Sequence, residues 1–397
     1  MKFAHLADLH LGYRQYGLYE RLEDYNRAFE KAVEEVIERD LSFVLISGDL
    51  FHCGSPPAVA VRSAFKGLSM LKGAGIPVVA IRGNHDGHFE RGGNYLSLLE
   101  DAGLLTYLEG ERFYTDLEAD GERARILGIG CLVESQLVER LEFVKKAIDP
   151  SADHNVLMLH QSFDKVSSKD RSWLVHSAYF YDDAFGHVDY FALGHVHERC
   201  KHPEFPAYYP GSIEYWDIDD AETHIFDMKS GRRNFRAKRG KGFLAVNLDD
   251  GVRVEPVEVE GRRVVHLIFE YGEIDPRVAS EEIAEILPEF DEVGSLVVVT
   301  VRGVVKEGCR ASDLDFKAFR KALGNVLKLK TRNELRHPSA LAVGRIEGRV
   351  TPERAIEEYF SALGEEGKGL SRLAIRLFEY LSRNDVEGAK EVVANDL

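Results

Sequence analysis

Short apolar runs recur along the first half of the chain and predict buried β-strands. They occupy residues 3–7, 42–46, 78–81, 155–159 and 190–193. Each run has four or five residues and is largely β-branched or aromatic. Runs of this length and composition are typical of strands that are covered on both faces.

Longer stretches of the chain carry apolar residues at helical spacing. Residues 20–38, 57–72 and 94–102 place these positions on one face, as helices packed on a sheet do. The alternation of strands and helices over residues 1–227 predicts an α/β fold. The order then becomes strand, strand, helix, strand, helix, strand up to about residue 336, which predicts a small α+β domain.

Two more amphipathic helices are predicted near the end of the chain, at residues 351–363 and 370–381. Two short helices cannot bury such apolar stripes well against each other. They should therefore dock either on the chain's own core or on a partner.

A polar island follows each of the five predicted strands. The islands are Asp8-Leu9-His10, Gly48-Asp49, Gly83-Asn84-His85-Asp86, His160-Gln161 and Gly194-His195-Val196-His197. Because sheets of this kind gather ligands at the carboxyl ends of their strands, the islands should converge on one crevice. Their carboxylates, amide and imidazoles form a ligand set large enough for two divalent metal ions.

Each island alone has an ordinary explanation as a turn or a polar pair, because short motifs often occur by chance. Their joint occurrence after five strands favours a metal site. A structural zinc site is disfavoured, because Cys53, Cys131, Cys200 and Cys309 are scattered singly. Imidazole combined with oxygen ligands suits Mn, Fe or Zn. The sequence therefore predicts a two-metal phosphoesterase.

Composition is that of a globular protein with two or three domains: 397 residues, 44% hydrophobic and 30% charged. No stretch is long enough to span a bilayer. Met1 leads directly into the first strand, so no signal peptide is expected. The unpatterned cysteines fit a reducing compartment. We therefore expect a cytoplasmic protein, associated with the nucleoid if the source is prokaryotic.

The net charge of −16 argues against tight DNA binding by this chain unaided. Basic side chains are nevertheless concentrated in residues 228–241, which contain no acidic residue. The candidate DNA contacts in this basic run are Arg232, Arg233, Arg236, Lys238 and Arg239. A solvated hairpin is the alternative explanation of the run.

The order of the islands resembles the calcineurin-like metallophosphoesterase superfamily over roughly the first 215 residues. Within it, four motifs resemble the nuclease of the double-strand-break repair complex, the meiotic recombination eleven family, called SbcD in bacteria. They lie at residues 48–52, 83–86, 194–197 and 209–214. Residues 1–16 look most like archaeal members. The resemblance implies a β-sandwich flanked by helices, followed by a small α+β capping domain and a C-terminal helical segment.

The resemblance also implies how the chain is divided. Residues 1–240 would form the metallophosphoesterase nuclease domain and residues 241–336 the DNA-binding capping domain. Residues 350–397 would form a helical segment that binds an ATPase partner.

By the same resemblance, the crevice holds two divalent ions, with Mn²⁺ favoured. One ion would be held by Asp8, His10, Asp49 and His197. The other would be held by Asp49, Asn84, His160 and His195. Asp49 is expected to bridge the two ions, because a carboxylate has two oxygens and a charge to share between cations.

Three further residues are implied on the substrate side. His85 resembles the group that supplies a proton or a hydrogen bond to the leaving oxygen, with Asp86 orienting it and raising its pKa. His52 resembles the family's second substrate-side histidine. The alternatives are a structural histidine outside the ligand shell for His85 and a loop histidine for His52.

DNA is the implied substrate, and a coiled-coil, SMC-like ABC-type ATPase with a zinc hook is the implied partner. Tyr13 and Arg14 lie in a loop that suits phosphate contact and base stacking, although a mobile surface loop is equally compatible. The helices at 57–72 and 94–102 would form a homodimer contact, and simple packing on the sheet is the alternative.

The resemblance thus implies a single-strand endonuclease and double-strand exonuclease that processes DNA ends. A protein phosphatase is disfavoured, because Leu50-Phe51-His52-Cys53 replaces the arginine-containing run of that group. A small-molecule or cyclic-nucleotide phosphodiesterase and a non-catalytic scaffold remain alternatives.

Overall fold

The fold was determined as a computed structural model, which describes residues 1–87, 94–166, 172–337, 352–361, 365–382 and 392. The predicted terminal segment at 350–397 therefore lies partly outside the described residues. Along the described chain no helix is both long and apolar enough to cross a membrane.

Strands and helices alternate through the first part of the chain. In order they are β1 Lys2–Leu6, α1 Tyr19–Glu38, β2 Phe43–Ser47, α2 Ala58–Gly73, β3 Val78–Ile81, α3 Tyr95–Asp101, β4 Thr106–Tyr107, β5 Tyr114–Ala119, β6 Glu122–Ile129, α4 Glu134–Ala147, β7 His154–His160, β8 Ser162–Phe163, β9 Leu174–Val175, β10 Tyr190–Gly194, β11 Cys200–Lys201 and β12 Ala207–Tyr209. The five predicted strands and the first three predicted helices are all present.

The second part of the chain begins with a hairpin. The elements are β13 Glu222–Asp227, β14 Arg232–Arg236, β15 Gly242–Asn247, β16 Arg253–Glu258, β17 Val264–Ile274, α5 Pro276–Ile286, β18 Leu296–Val305, α6 Phe316–Ala322, β19 Lys328–Arg336, α7 Pro352–Ser361 and α8 Glu365–Ser382.

Two six-stranded sheets face each other in the first unit, which comprises Met1–Asp220 and Arg239–Arg262. One sheet has the order β16-β15-β1-β2-β3-β4 and the other β11-β12-β10-β7-β6-β5. Apolar side chains of both sheets form the core between them, and Phe3 contacts Phe43 and Tyr190 there. The prediction of an α/β sandwich is confirmed.

Helices cover the outer faces of this sandwich. The apolar stripe of α1 packs with α2 and α3 over the first sheet, and α4 covers the second. Two large apolar side chains of these helices remain outside the core: Phe65 of α2 is 50% exposed and Leu98 of α3 is 54% exposed. Packing on the sheet therefore accounts for only one face of each helix.

The second unit comprises Ala221–Lys238 and Arg263–Leu397. Its sheet has the order β14-β13-β17-β18-β19, with α5 and α6 contributing to its core. Asp275 caps α5 by accepting a hydrogen bond from the N–H of Arg277, with Pro276 in the first turn.

The predicted boundary between residues 240 and 241 is wrong. Strands β15 and β16 belong to the first unit, because β15 pairs antiparallel with β1. The β13–β14 hairpin belongs to the second unit, because β13 pairs in parallel with β17. Periodicity predicts that a segment is a strand, but it does not specify the strand with which it pairs. The assignment of β13–β14 to the second unit and of β15–β16 to the first was therefore missed.

Candidate metal centre

All seven predicted ligands lie at or just after the carboxyl ends of strands of the two facing sheets. Asp8 and His10 follow β1, Asp49 follows β2 and Asn84 follows β3. From the second sheet, His160 ends β7, and His195 and His197 follow β10. Strands β1, β2 and β3 are parallel, as are β7 and β10, so the carboxyl ends within each sheet point the same way.

Four of these residues form the first ligand set: Asp8, His10, Asp49 and His197. One ligand atom from each lies within 4.8 Å of the others. The Nε2 atoms of His10 and His197 are 3.1 Å apart. His197 Nε2 is 3.6 Å from Asp8 Oδ1, and His10 Nε2 is 3.7 Å from Asp49 Oδ2.

The second set is centred on the side-chain oxygen of Asn84. Asn84 Oδ1 lies 3.1 Å from His160 Nε2 and 3.2 Å from His195 Nδ1. His160 Nε2 is also 3.4 Å from Asp49 Oδ2. The same Asp49 oxygen therefore faces a histidine of each set.

The donor atoms fit two divalent cations. Asp49 Oδ2 is buried and has no hydrogen-bond partner within the described part of the chain. An unpaired buried carboxylate oxygen is costly unless a cation faces it. His160 Nδ1 donates to the carbonyl of Ser47 at 2.8 Å, which leaves the Nε2 lone pair directed at the site.

Electrostatics at Asp49 favour its charged form. Burial acts to raise the pKa of this carboxyl, but the adjacent His160 and His10 outweigh burial and hold the pKa below its usual range. Burial likewise acts to lower the pKa of His160, and Asp49 overcomes it and raises that pKa to about 9. Both shifts arise because the Asp49 carboxylate attracts a positive charge, which a bound cation would supply in place of the His160 proton.

Four of the seven ligands have a left-handed backbone, which is uncommon outside glycine. The φ angles are 53° at Asp8, 44° at His10, 54° at Asp49 and 88° at His195. Such conformations cost free energy and cluster at functional sites.

Glycines precede ligands where segments approach each other closely. A Cβ on Gly83 would lie 2.0 Å from Asp49 Oδ1, and one on Gly194 would lie 2.0 Å from the carbonyl oxygen of Ser47. Any larger residue at either position would displace a ligand loop.

His85 lies beside the ligands. Its Nδ1 donates to the carbonyl of His52 at 2.9 Å, and its backbone N–H donates to Asp49 Oδ1 at 2.8 Å. The His52 ring stacks on that of His85, with centroids 5.1 Å apart. Burial, reinforced by His85, lowers the pKa of His52 to about 4, so its ring is neutral at neutral pH.

The predicted role of Asp86 as the partner of His85 is wrong. Its carboxylate accepts hydrogen bonds from the backbone N–H groups of Asp49, Phe51 and Gly83, at 2.8–2.9 Å. Burial, with repulsion from Asp49, raises the pKa of Asp86 to about 6. Asp86 thus ties two ligand loops together, and the His52 carbonyl orients His85.

Two aromatic residues border the first ligand set. Tyr13, predicted as a DNA contact, stacks on His52 with centroids 3.9 Å apart. Sequence reasoning missed Trp216, whose ring centroid lies 4.0 Å from that of His197 and 4.4 Å from that of His10. Its place directly after the motif at 209–214 was the available signal.

The remaining candidate DNA contacts are all exposed. Arg14 is exposed and makes a 3.5 Å contact with the carbonyl of Gly17. Arg232, Arg233 and Arg236 lie on β14, an exposed strand at the edge of its sheet, and Lys238 follows it. Strand β14 is thus exposed, and DNA contact by these side chains stays a prediction.

Arg239 belongs to the first unit. Its guanidinium forms an ion pair with Glu198 at 2.9 Å, next to the ligand His197.

Known proteins match the chain over the region of the centre and beyond it. The calcineurin-like phosphoesterase family matches residues 1–199. The DNA double-strand break repair protein Mre11 of Methanopyrus kandleri is 35% identical over 286 residues, which cover 69% of this chain and 60% of that protein.

Two more relatives extend the match. Mre11 of Archaeoglobus fulgidus is 31% identical over 341 residues, covering 81% of this chain and 73% of that protein. Mre11 of Thermoplasma acidophilum is 24% identical over 389 residues, covering 97% of this chain and 95% of that protein. The chain is therefore a metal-dependent phosphoesterase of the calcineurin-like family, and within that family it belongs to the Mre11 proteins.

Proposed function

We propose that this protein is a two-metal-dependent DNA phosphodiesterase that processes DNA ends in double-strand-break repair. It would act as a single-strand endonuclease and a double-strand exonuclease, with Mn²⁺ as the preferred ion. The observation that carries the proposal is the pair of ligand sets that share Asp49 Oδ2, with His85 beside them. The names of the similar archaeal proteins support DNA as the substrate.

The protein's own residues divide the work at a phosphodiester. Asp8, His10, Asp49 and His197 would hold one ion, and Asp49, Asn84, His160 and His195 the other. When bound, two such ions activate a water molecule and neutralise charge at phosphorus. Asn84 contributes a neutral oxygen, which limits the negative charge that faces an anionic substrate.

His85 is the proposed proton donor to the leaving oxygen. Because its Nδ1 donates to the His52 carbonyl, Nε2 is the atom that remains for the substrate. Tyr13 and His52 stack in series against His85 and restrict the tilt of its ring. We therefore assign Tyr13 and His52 to the substrate side of the centre, with His52 adjacent to the phosphate.

This function is tested by comparing cleavage of DNA with hydrolysis of a cyclic nucleotide by the same protein. We expect Mn²⁺-dependent cutting of linear duplex and single-stranded DNA, loss of cutting in EDTA, and little hydrolysis of the cyclic nucleotide. Cutting should weaken with salt, and neutralising Arg232, Arg233, Arg236 and Lys238 should flatten that dependence. Preference for the cyclic nucleotide would favour the small-molecule alternative, and absence of both activities would favour a scaffold.

We further propose that the chain forms a homodimer through α2 and α3. Phe65 and Leu98 support this contact, because they are large apolar side chains that packing on the sheet leaves exposed. Charged substitutions at both positions (Phe65→Glu with Leu98→Glu) should produce a monomer in light-scattering measurements. Phe143→Glu on α4 is the matched control, since Phe143 is 56% exposed but lies outside the proposed interface. A double variant that stays dimeric would contradict the contact.

The ATPase partner is proposed to bind α7 and α8. Tyr359 is 46% exposed and Leu370 is 44% exposed, so both can be covered by a partner. Each buried apolar anchor contributes about 1.5–3 kcal/mol. Tyr359→Glu combined with Leu370→Glu should therefore weaken binding of a coiled-coil ABC-type ATPase by roughly a hundredfold or more.

Binding can be measured by titration of the ATPase, with Mn²⁺-dependent cleavage of short single-stranded DNA as the internal control. That cleavage should stay at the wild-type rate, and Arg372→Ala, an exposed position on α8, should change neither quantity. If the double variant loses cleavage as well, the helices stabilise this chain's own core and the partner assignment fails.

A further inference from the structure

Lys241 is a buried lysine whose three donor positions are all used. Its side chain lies within the first unit, and the residue is only 5% exposed. Its Nζ donates to the carbonyl of His197 at 3.0 Å and to Ser212 Oγ at 3.1 Å, and it forms an ion pair with Asp220 at 2.7 Å. An ammonium group has three N–H donors, so this environment satisfies it completely.

The position of Lys241 along the chain is unusual. The chain leaves the first unit after Asp220 and returns to it at Arg239. The Lys241–Asp220 ion pair therefore links the points at which the chain leaves and re-enters the first unit. Beside it, the N–H of Arg239 donates to the Asp220 carbonyl at 3.0 Å. The same ammonium also bonds the loop that carries His197.

The carbonyl of His197 is held from two further directions. Ser212 N–H donates to it at 3.2 Å, and Gly211 leaves room for it, since a Cβ on Gly211 would lie 2.9 Å from that oxygen. Fixing the carbonyl fixes the peptide plane of His197, and with it the direction of the bond to its side chain. The imidazole then lies 3.1 Å from His10 Nε2 and 3.6 Å from Asp8 Oδ1.

We propose that Lys241 is a positioning residue for the metal centre. By bonding the His197 carbonyl, it holds the His197 imidazole at the spacing from Asp8 and His10 at which one divalent cation is bound. This inference rests on the proposed function, in which His197 is a metal ligand. Lys241, the last basic residue of the run at 228–241, would then act inside the fold and not in DNA contact.

Lys241→Met tests the proposal, because methionine fills a similar volume and donates no hydrogen bond. Groups that orient metal ligands typically contribute 10- to 100-fold to metal affinity. We expect calorimetric titration of the metal-free, full-length variant with Mn²⁺ to show one of two ions bound about 10- to 100-fold more weakly. The other ion should bind as in the wild type.

A kinetic readout separates positioning from a general loss of structure. Hydrolysis of bis-p-nitrophenyl phosphate by Lys241→Met should require more Mn²⁺ and should recover near-wild-type kcat when Mn²⁺ is saturating. The assay is run well below the unfolding midpoint of the variant, where a merely destabilised protein is folded and keeps the wild-type dependence on Mn²⁺.

Arg262→Met is the matched control. Arg262 forms an ion pair with buried Asp24 at 2.6 Å and lies at the other crossing between the units, where the first unit ends. Asp24 is not a member of either proposed ligand set, and it accepts a hydrogen bond from Arg21 on the same helix, α1. This variant should bind both ions with wild-type affinity.

The outcomes are distinguishable. Wild-type Mn²⁺ affinity in folded Lys241→Met overturns the positioning role and leaves the proposed function intact, whereas a wild type that binds fewer than two ions overturns the proposed function itself. If Lys241→Met fails to fold, Asp220→Asn replaces it, since it keeps an acceptor for the ammonium and removes only the opposite charge. A smaller shift in the same direction supports the role, and no shift overturns it.

Discussion

Asp49→Ala is expected to abolish phosphodiester cleavage and to release metal from both positions of the centre. The Asp49 carboxylate faces both ligand sets, through contacts of 3.7 Å to His10 and 3.4 Å to His160. Its removal leaves several histidines facing each other without the negative charge that offsets two cations. Both ions should therefore be lost together rather than one at a time.

The measurement is metal content after dialysis, combined with cleavage of single-stranded DNA in Mn²⁺. Asp116→Ala is a suitable control, because Asp116 is a partly exposed carboxylate on β5 that is paired with Arg125 and lies outside the ligand sets. It should retain two ions and full activity. Two ions bound to Asp49→Ala at wild-type affinity would show that Asp49 does not bridge them.

Local sequence patterns were sufficient to predict which side chains lie together at the candidate centre, because each of them is placed by the strand directly before it. Asn84 lies where it does because β3 ends at Ile81, and His195 because β10 ends at Gly194. The carboxyl ends of parallel strands lie at one edge, so no knowledge of distant pairing was needed. The α/β sandwich was predictable for the same reason.

Features that depend on distant pairing could not be predicted. The chain crosses between the units at residues 220/221 and 238/239 because β13 finds its partner in β17 and β15 finds its partner in β1. Neither choice leaves a signal in the periodicity of the strands. The bond from Lys241 to the His197 carbonyl spans 44 positions and was hidden inside an apparently solvated basic run.

The role of Asp86 was wrongly predicted for a different physical reason. Adjacency in sequence suggested that it would bond His85, but neighbouring side chains on a tight turn can point in different directions. The turn after Gly83 directs the Asp86 carboxylate at backbone N–H groups of the Asp49 loop. Its raised pKa, about 6, reflects burial and the nearby Asp49 rather than a partnership with His85.

His85→Ala is expected to keep both metal ions and the fold while losing most of its DNA cleavage. Within the described part of the chain, the His85 side chain hydrogen-bonds the His52 carbonyl, and it occupies no position in either proposed ligand set. A general acid contributes roughly 10²–10⁴-fold to a rate, so we expect a loss of kcat in that range with Mn²⁺ content unchanged.

The leaving group provides the decisive comparison for His85. A deoxyribose oxygen is a poor leaving group and needs a proton as its bond to phosphorus breaks, whereas p-nitrophenolate leaves without one. His85→Ala should therefore be strongly impaired on DNA and only weakly impaired on bis-p-nitrophenyl phosphate, at saturating Mn²⁺ for both. Equal losses on the two substrates would assign His85 to charge stabilisation or binding, and loss of a metal ion would make it a structural member of the centre. A large difference between the substrates, with two ions retained, is the result that only proton donation from Nε2 predicts.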